Sequence, residues 1–368
     1  MNPDSKKRVV IKIGSSSLTS SHGEISRRKL EGLVDQVVEL KDQGHEVLLV
    51  SSGAVAAGYR KLGCLERPSS LPEKQAAASI GQGLLMEAYS ELFLSHGYVA
   101  SQILITRDDF SDENRYNNAR NTINVLLERG IVPIVNENDT VTINRLKFGD
   151  NDTLSAKVAG LVDSDLLIIL SDIDGLYNAD PRKDPKAELL PFVSEITPEI
   201  EGAAGDSGSS VGTGGMRSKI DAFKIAMASG IPSFLGKAGV ANILTDAVSG
   251  QAIGTYFESD DDAVNLSQKE QWIAFNSGPE GEIVIDDEAK RAIVEQKLPL
   301  LREQIKFIKG HFDEKAVVRI LDTDEKELAL GISNYSSEEL AQNEPVNQPV
   351  VDSEGLVCHI EIPVPVGL

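Results

Sequence analysis

From Val9 to about Phe257, short apolar runs alternate with longer segments of helical period. The runs Val9–Ile13, Val47–Ser51, Gln102–Ile105, Ile131–Val135, Leu166–Leu170 and Pro232–Leu235 have the length and the Val/Ile/Leu content of buried strands. Helices are expected at Ser26–Gln43, Pro72–Ser95, Arg115–Arg129, Thr153–Val162 and Met216–Ser229. In the first of these, Leu30, Leu33, Val34 and Val37 share one face, Ser26 can cap the start and Gly44 can end it. Such alternation predicts an α/β fold, a mostly parallel sheet with helices on both faces. Ligands of such sheets sit at the carboxyl ends of the strands.

The pattern changes after Phe257. The acidic run Glu258-Ser259-Asp260-Asp261-Asp262 marks a solvated linker, expected over 258–271. From Trp272 to about residue 344, strands are expected at Glu282–Ile285, Ala316–Leu321 and Leu328–Ile332, with a helix at Glu288–Glu295. That is a small α+β or β-barrel-like domain following a larger one at 1–257. From Asn343 onward there are four prolines and no helical period, so 345–368 is expected to be a loosely ordered tail.

The residues just past the strands are polar or glycine-rich. Lys12-Ile13-Gly14-Ser15-Ser16-Ser17 follows the first, Ser51-Ser52-Gly53-Ala54 the second, Asn136-Glu137-Asn138-Asp139 the fourth and Ser171-Asp172 the fifth. Lys12 interrupts an apolar strand; it either snorkels from the strand end or reaches into a cleft. The loop from Gly205 to Lys219 has glycines at 205, 208, 212, 214 and 215 and runs into an apolar-periodic helix. Glycines let backbone N–H groups curl around phosphate oxygens, and a helix N-terminus favours an anion there. It follows neither the Walker A order nor the protein-kinase glycine pattern. Asn151-Asp152-Thr153 supplies three small polar side chains where one helix cap needs one. Asp152 could cap the helix and orient a lysine, and Asn151 could bind substrate. Asp174-Gly175 and Asp180-Pro181 mark turns.

A formal charge of −21 argues against a general nucleic-acid surface. It also means that cations at an anion site must be individually placed. The five histidines have no ligand-like spacing and are expected at the surface or in turns, and Cys64 and Cys358 form neither a disulfide framework nor a metal pair. No apolar run approaches the length of a membrane span, and Val9–Ile13 is too short for a signal-peptide core. A cytoplasmic protein with no membrane partner is expected.

Taken together, Val-Ile-Lys-Ile-Gly-Ser-Ser, Ser-Ser-Gly-Ala-Val-Ala-Ala-Gly, Val-Asn-Glu-Asn-Asp, Phe-Gly-Asp-Asn-Asp-Thr-Leu-Ser-Ala, Asp-Gly-Leu-Tyr-Asn-Ala-Asp-Pro-Arg and Gly-Thr-Gly-Gly-Met-Arg-Ser-Lys resemble the motifs of the amino acid kinase family, in family order. The resemblance implies a three-layer α/β/α kinase domain, and the segment from about Gly278 to Leu340 looks like a PUA domain. The ending Glu354–Pro363 departs from the His-Arg-Asp-Asp-type ending of such a domain. Within the family the motifs are most similar to the glutamate-phosphorylating branch. This implies Mg²⁺ and ATP, transfer to the γ-carboxylate of L-glutamate to give γ-glutamyl phosphate, and the first step of proline synthesis. By motif, Lys12 and Lys219 contact phosphate and Asp152 organises them. Ser52, Asp139 and Asn151 hold glutamate. Ser171, Asp172, Thr213, Gly214, Gly215, Met216, Arg217, Ser218 and Lys219 bind ATP, and no metal ligand is assigned. A homo-oligomer (dimer or tetramer), feedback by proline and a functional link to glutamate-5-semialdehyde dehydrogenase also follow from the resemblance.

A carboxylate acceptor is already ionised near neutral pH and needs no general base, which suits strand ends without a placed histidine. The rival readings are a same-fold kinase acting on aspartate, a nucleoside monophosphate, carbamate or an isoprenoid phosphate, and an RNA-binding or regulatory protein acting through the small domain. A phosphate acceptor calls for extra Arg or Lys, whereas Asn136–Asp139 and 149–152 are neutral or acidic. Residues 280–339 carry nine Lys/Arg against fifteen Asp/Glu, a net of −6, which argues against RNA.

Overall fold

The computed structural model describes residues 5–20, 24–142, 151–181, 184, 186–204, 215–258, 266–342 and 348–358. Two compact units divide them, one of residues up to 109 with 114–265, the other of 110–113 with 266–366.

The first unit opens β1 (Arg8–Ile13), α1 (Arg27–Asp42), β2 (Glu46–Ser51), α2 (Ala54–Gly58), α3 (Leu71–Ser95) and β3 (Ala100–Ile105). After α4 (Arg107–Ser111), which runs across the division of the units, come α5 (Glu113–Glu128), β4 (Val132–Glu137), α6 (Asn151–Leu161) and β5 (Leu166–Ser171). It closes with β6 (Phe192–Val193), α7 (Pro198–Ala204), α8 (Met216–Ala228), β7 (Ser233–Lys237), α9 (Ile243–Ser249) and β8 (Thr255–Phe257). The eight strands lie in the order β3-β4-β2-β1-β5-β7-β8-β6. Every neighbouring pair is parallel except β7 with β8. This is the mostly parallel sheet that the alternation predicted. Past their first residues β1 and β2 are buried, Val9 to Ile11 and Val47 to Val50 with no exposed surface, as strands covered on both faces must be.

Helix α1 shows how the local sequence works. Leu30, Leu33, Val34, Val37, Val38 and Leu40 are its buried stripe. Gly44 takes φ +89°, and the Gly44 and His45 N–H groups return to the Lys41 and Leu40 carbonyls at 2.9 and 3.1 Å, a glycine-terminated helix end. Ser26 stands at the N-cap position, but its side chain makes no capping bond. His45 departs from the expected surface placement. It is buried, its Nδ1 accepts the Lys7 N–H at 3.0 Å, and burial together with the Lys7 charge pushes its pKa down.

The second unit contains α10 (Gln268–Gln271), β9 (Gly281–Ile285), α11 (Asp287–Gln296), β10 (Ile305–Lys309), β11 (Val317–Leu321), β12 (Glu327–Ser333), α12 (Ser337–Ala341) and β13 (Val351–Cys358). Its sheet order is β10-β9-β11-β12-β13, with only β9 and β11 parallel. Phe110 belongs here, and the Trp272 indole N–H donates to its carbonyl at 2.9 Å.

Two stretches differ from expectation. Of the expected linker at 258–271, residues 259–265 lie outside the described residues, but 268–271 form α10. Ser267 and Glu270 close a reciprocal capping box there, a pattern legible in the sequence. The expected tail at 345–368 contains β13. Its prolines flank the strand without entering it, and Val350, Val351 and Leu356 join the second core with no exposed surface. Pairing with β12 also covers what would otherwise be an open sheet edge. Residues 359–368 lie outside the described ones.

Candidate active site

Lys12 lies on β1 between two central parallel neighbours, β2 and β5, so its backbone is fixed by pairing on both sides. Asp152 is the second residue of α6, and Lys219 lies one turn into α8. The fold brings all three together. Asp152 Oδ1 pairs with the Lys12 ammonium, and Oδ2 accepts from Lys219 Nζ at 3.1 Å. Asp152 has no exposed surface, and the two lysines are 7% and 6% exposed. Burial pushes the Asp152 carboxyl up, but Lys12 and then Lys219 outweigh it and hold the group below the ordinary aspartate value. The Ser218 hydroxyl lies 3.0 Å from Asp152 Oδ2 and 2.9 Å from the Gly215 carbonyl, so it also belongs to this cluster.

The triad sets two ammonium groups against one carboxylate inside a protein of net charge −21. An anion in contact with both lysines would complete the balance. Other side-chain oxygens are held by local bonds: Ser171, buried at the end of β5, donates to Asp172 Oδ1 at 3.0 Å. Gly215, in extended backbone, precedes Met216 at the start of α8. Arg217 is half exposed and lies 3.4 Å from both Glu201 of α7 and Asp221 of its own helix. Thr213 and Gly214 lie outside the described residues, as do the glycines at 149, 205, 208 and 212. Among the described residues no group of three His, Cys, Asp or Glu side chains is placed to hold a metal ion.

A second cluster adjoins β2 and β4. The Asn151 Nδ2 group reaches the Ser51 carbonyl at 2.6 Å, Ser52 Oγ at 3.0 Å and Asn136 Oδ1 at 2.9 Å. Asn151 and Asp152, adjacent at the start of α6, therefore serve the two clusters, one each. Asp139 is half-buried in the loop after β4, where its N–H donates to the Glu137 carbonyl at 3.0 Å.

Helix α2 begins directly after Ser52-Gly53, with Gly53 at φ +101°, and packs on α3 backbone to backbone. A Cβ on Gly58 would lie 1.8 Å from the Ala77 carbonyl, and one on Gly81 would lie 1.8 Å from that of Ala54. The small alanine and glycine side chains of both segments are what permits this contact. Tyr89 and Gln82 of α3, which reach Ser51 and Asn136, had no signal in the sequence.

Residues 7–237 match the sequence model of the amino acid kinase family, and 281–348 that of the PUA domain. The protein named glutamate 5-kinase 2 of Bacillus subtilis (strain 168) is 66% identical over 372 residues, covering the whole of both chains. The glutamate 5-kinase of Citrifermentans bemidjiense is 48% identical, covering 91% of this chain and 89% of that protein. Among solved structures, carbamate kinase from Giardia lamblia bound to AMP-PNP superposes with a TM-score of 0.52 at 18% identity, over 70% of this chain and all of that one. That likeness concerns the fold. By a family match across most of its length and a relative aligned end to end, the chain belongs to the amino acid kinase family.

Proposed function

We propose that the chain transfers the γ-phosphoryl group of ATP to the γ-carboxylate of L-glutamate, giving γ-glutamyl phosphate and ADP. The observation that carries this reading is the buried Lys12–Asp152–Lys219 triad, whose two cations lie where the central strands end. The names of the relatives supply the acceptor.

The reaction brings one anion against another. A carboxylate oxygen forms a bond to the γ-phosphorus as the bond to the ADP oxygen breaks, and the electron pair leaves with ADP. The carboxylate is ionised near neutral pH, so no proton has to be removed. Charge stabilisation dominates, and Lys12 and Lys219 supply it on the enzyme side. Asp152 keeps both ammonium groups at fixed positions. Ser171, Asp172 and the 213–219 segment are assigned to the nucleotide. Asp152 is taken up by two lysines, so Mg²⁺ would be held through the nucleotide phosphates, where it neutralises charge. Ser52, Asn151 and Asp139 are assigned to glutamate, whose ammonium and carboxylates suit neutral amides, a hydroxyl and an acid.

The test is an ATP/Mg²⁺ reaction with hydroxylamine and, in parallel, glutamate, aspartate or UMP. An acyl phosphate is trapped as its hydroxamate. Hydroxamate from glutamate with matching ADP is expected; ADP formed only with UMP or aspartate would overturn the acceptor.

A further inference from the structure

We infer that Gln82 is a positioning residue of the acceptor pocket, anchoring Asn136 and, through it, holding the Asn151 amide in place. This rests on the assignment of Asn151 to the acceptor.

Two main-chain groups fix the polarity of the neighbouring amides. The Glu137 N–H donates to Asn136 Oδ1 at 2.9 Å, so that oxygen must face it. The Ser51 carbonyl can only accept, so Asn151 must turn its Nδ2 toward it, at 2.6 Å. The two side chains then meet correctly, Asn151 Nδ2 to Asn136 Oδ1 at 2.9 Å. With both Nδ2 hydrogens shared among these three oxygens, Oδ1 is the atom Asn151 can offer a ligand, an acceptor suited to an ammonium group. Ser52 Oγ, 3.0 Å from Nδ2, can only accept from it and so keeps its O–H to donate to a carboxylate.

Asn136 is 3% exposed, so its Nδ2 needs a partner. That partner is Gln82 Oε1 at 2.9 Å, and Gln82 Nε2 donates in turn to Gln102 Oε1 at 3.0 Å. The chain of amides thus donates in one sense, from Asn151 through Asn136 and Gln82 to the exposed Gln102 on β3. Gln82 is not isolated on its helix. Gln75, Gln82 and Tyr89 recur every seventh residue and share one face of α3. Gln75 Nε2 donates to the Thr142 carbonyl at 3.2 Å, and Tyr89 Oη lies 3.2 Å from Ser51 Oγ. One helix face therefore holds both ends of the 136–142 segment and the end of β2. Next to Gln82, Gly81 seats α2, which carries the chain on from Ser52.

An acceptor atom at position 82 is what the pocket requires. Gln82→Met keeps the length but strands the Asn136 amide; Gln82→Glu keeps the acceptor, and Gln102, being exposed, can turn its own amide to suit. In steady-state assays of the full chain, Gln82→Met is expected to raise KM for the acceptor about tenfold, the scale of one lost buried hydrogen bond, with kcat and the KM for ATP within about twofold. Gln82→Glu should restore the acceptor KM. Gln82→Lys, which offers donors only, should behave like Gln82→Met and serves if the latter does not fold. An unchanged acceptor KM in the Met or Lys variant, an equal rise in both KM values, or a Glu variant no better than these would overturn the inference. Failure of glutamate as the acceptor would show in the wild-type protein. The variant-to-wild-type ratio is measured on whichever acceptor the wild type phosphorylates, so the two failures are distinct.

Discussion

Asp152 Oδ2 lies 3.1 Å from Lys219 Nζ, and the same carboxylate holds Lys12 through its other oxygen. Replacing it by asparagine keeps the shape and removes the only negative charge of the triad. Two buried ammonium groups would then face each other uncompensated. Asp152→Asn is expected to lose about 3–5 kcal/mol of stability near pH 7, the scale for removing one partner from a buried ion pair. Urea unfolding monitored by fluorescence checks it. A loss under about 1 kcal/mol would mean that water already reaches the triad and screens it.

The same group dictates a pH dependence. Lys12 and Lys219 hold the Asp152 carboxyl below the ordinary value of 3.8 despite its burial. A folded-state value depressed below the unfolded one gives stability that is complete above the unfolded pKa and is lost as pH falls through the folded pKa. The stability gap between wild type and Asp152→Asn should therefore be level between about pH 5 and 7 and close only below about pH 4. Unfolding curves for both proteins across that range provide the comparison. A gap already closing near pH 6 would place the folded value above the unfolded one.

Gly81 offers a test that involves no charge. Its Cβ position lies 1.8 Å from the Ala54 carbonyl, 2.7 Å from the Gly58 nitrogen and 2.8 Å from the Ala54 carbonyl carbon. These are backbone atoms that no rotamer change can move aside. Gly81→Ala must push α2 off α3, at a cost of about 1–3 kcal/mol or more. Because α2 starts two residues after Ser52, the acceptor KM should rise while the nucleotide KM stays near its wild-type value. Gly83→Ala, where nothing lies within 4 Å of the new atom, is the control and should be neutral or slightly stabilising.

These relationships divide into those that sequence makes legible and those it does not. Strands β1, β2, β4 and β5 are dense apolar runs, and helix α1 has one clean buried stripe, so pattern alone located them. The polar residues at their carboxyl ends were the expected place for a site, and the structure brings Lys12, Asp152 and Lys219 into contact. Helix α3 was expected as an element, but its three working side chains were not. Gln75, Gln82 and Tyr89 bond to partners 67, 54 and 38 residues away in the chain, and nothing local in sequence encodes such partners. Strand β13 escaped for the opposite reason. Its flanking prolines suggested irregular chain, while its stability comes from pairing with β12.

Lys219 gives the most direct kinetic test. It lies at the fifth described residue of the segment that enters α8, 6% exposed, with its ammonium held by Asp152 and close to the Gly215 carbonyl. Alanine there removes a preorganised cation without leaving an unpaired charge, since Asp152 keeps Lys12. Folding should therefore survive, whereas on the proposed reaction the developing charge on the transferred phosphoryl group loses one of the two cations assigned to it. Turnover is expected to fall about a hundredfold or more, the scale for losing one preorganised donor, with the acceptor KM little changed because Asn151 and Ser52 are untouched. Lys219→Arg should not restore it, since a planar guanidinium cannot replace a point charge packed at this depth. The measurement is initial-rate ADP release by purified variants whose circular dichroism matches the wild type. Near-normal turnover in Lys219→Ala would leave Lys12 as the enzyme's working cation and remove Lys219 from the chemistry.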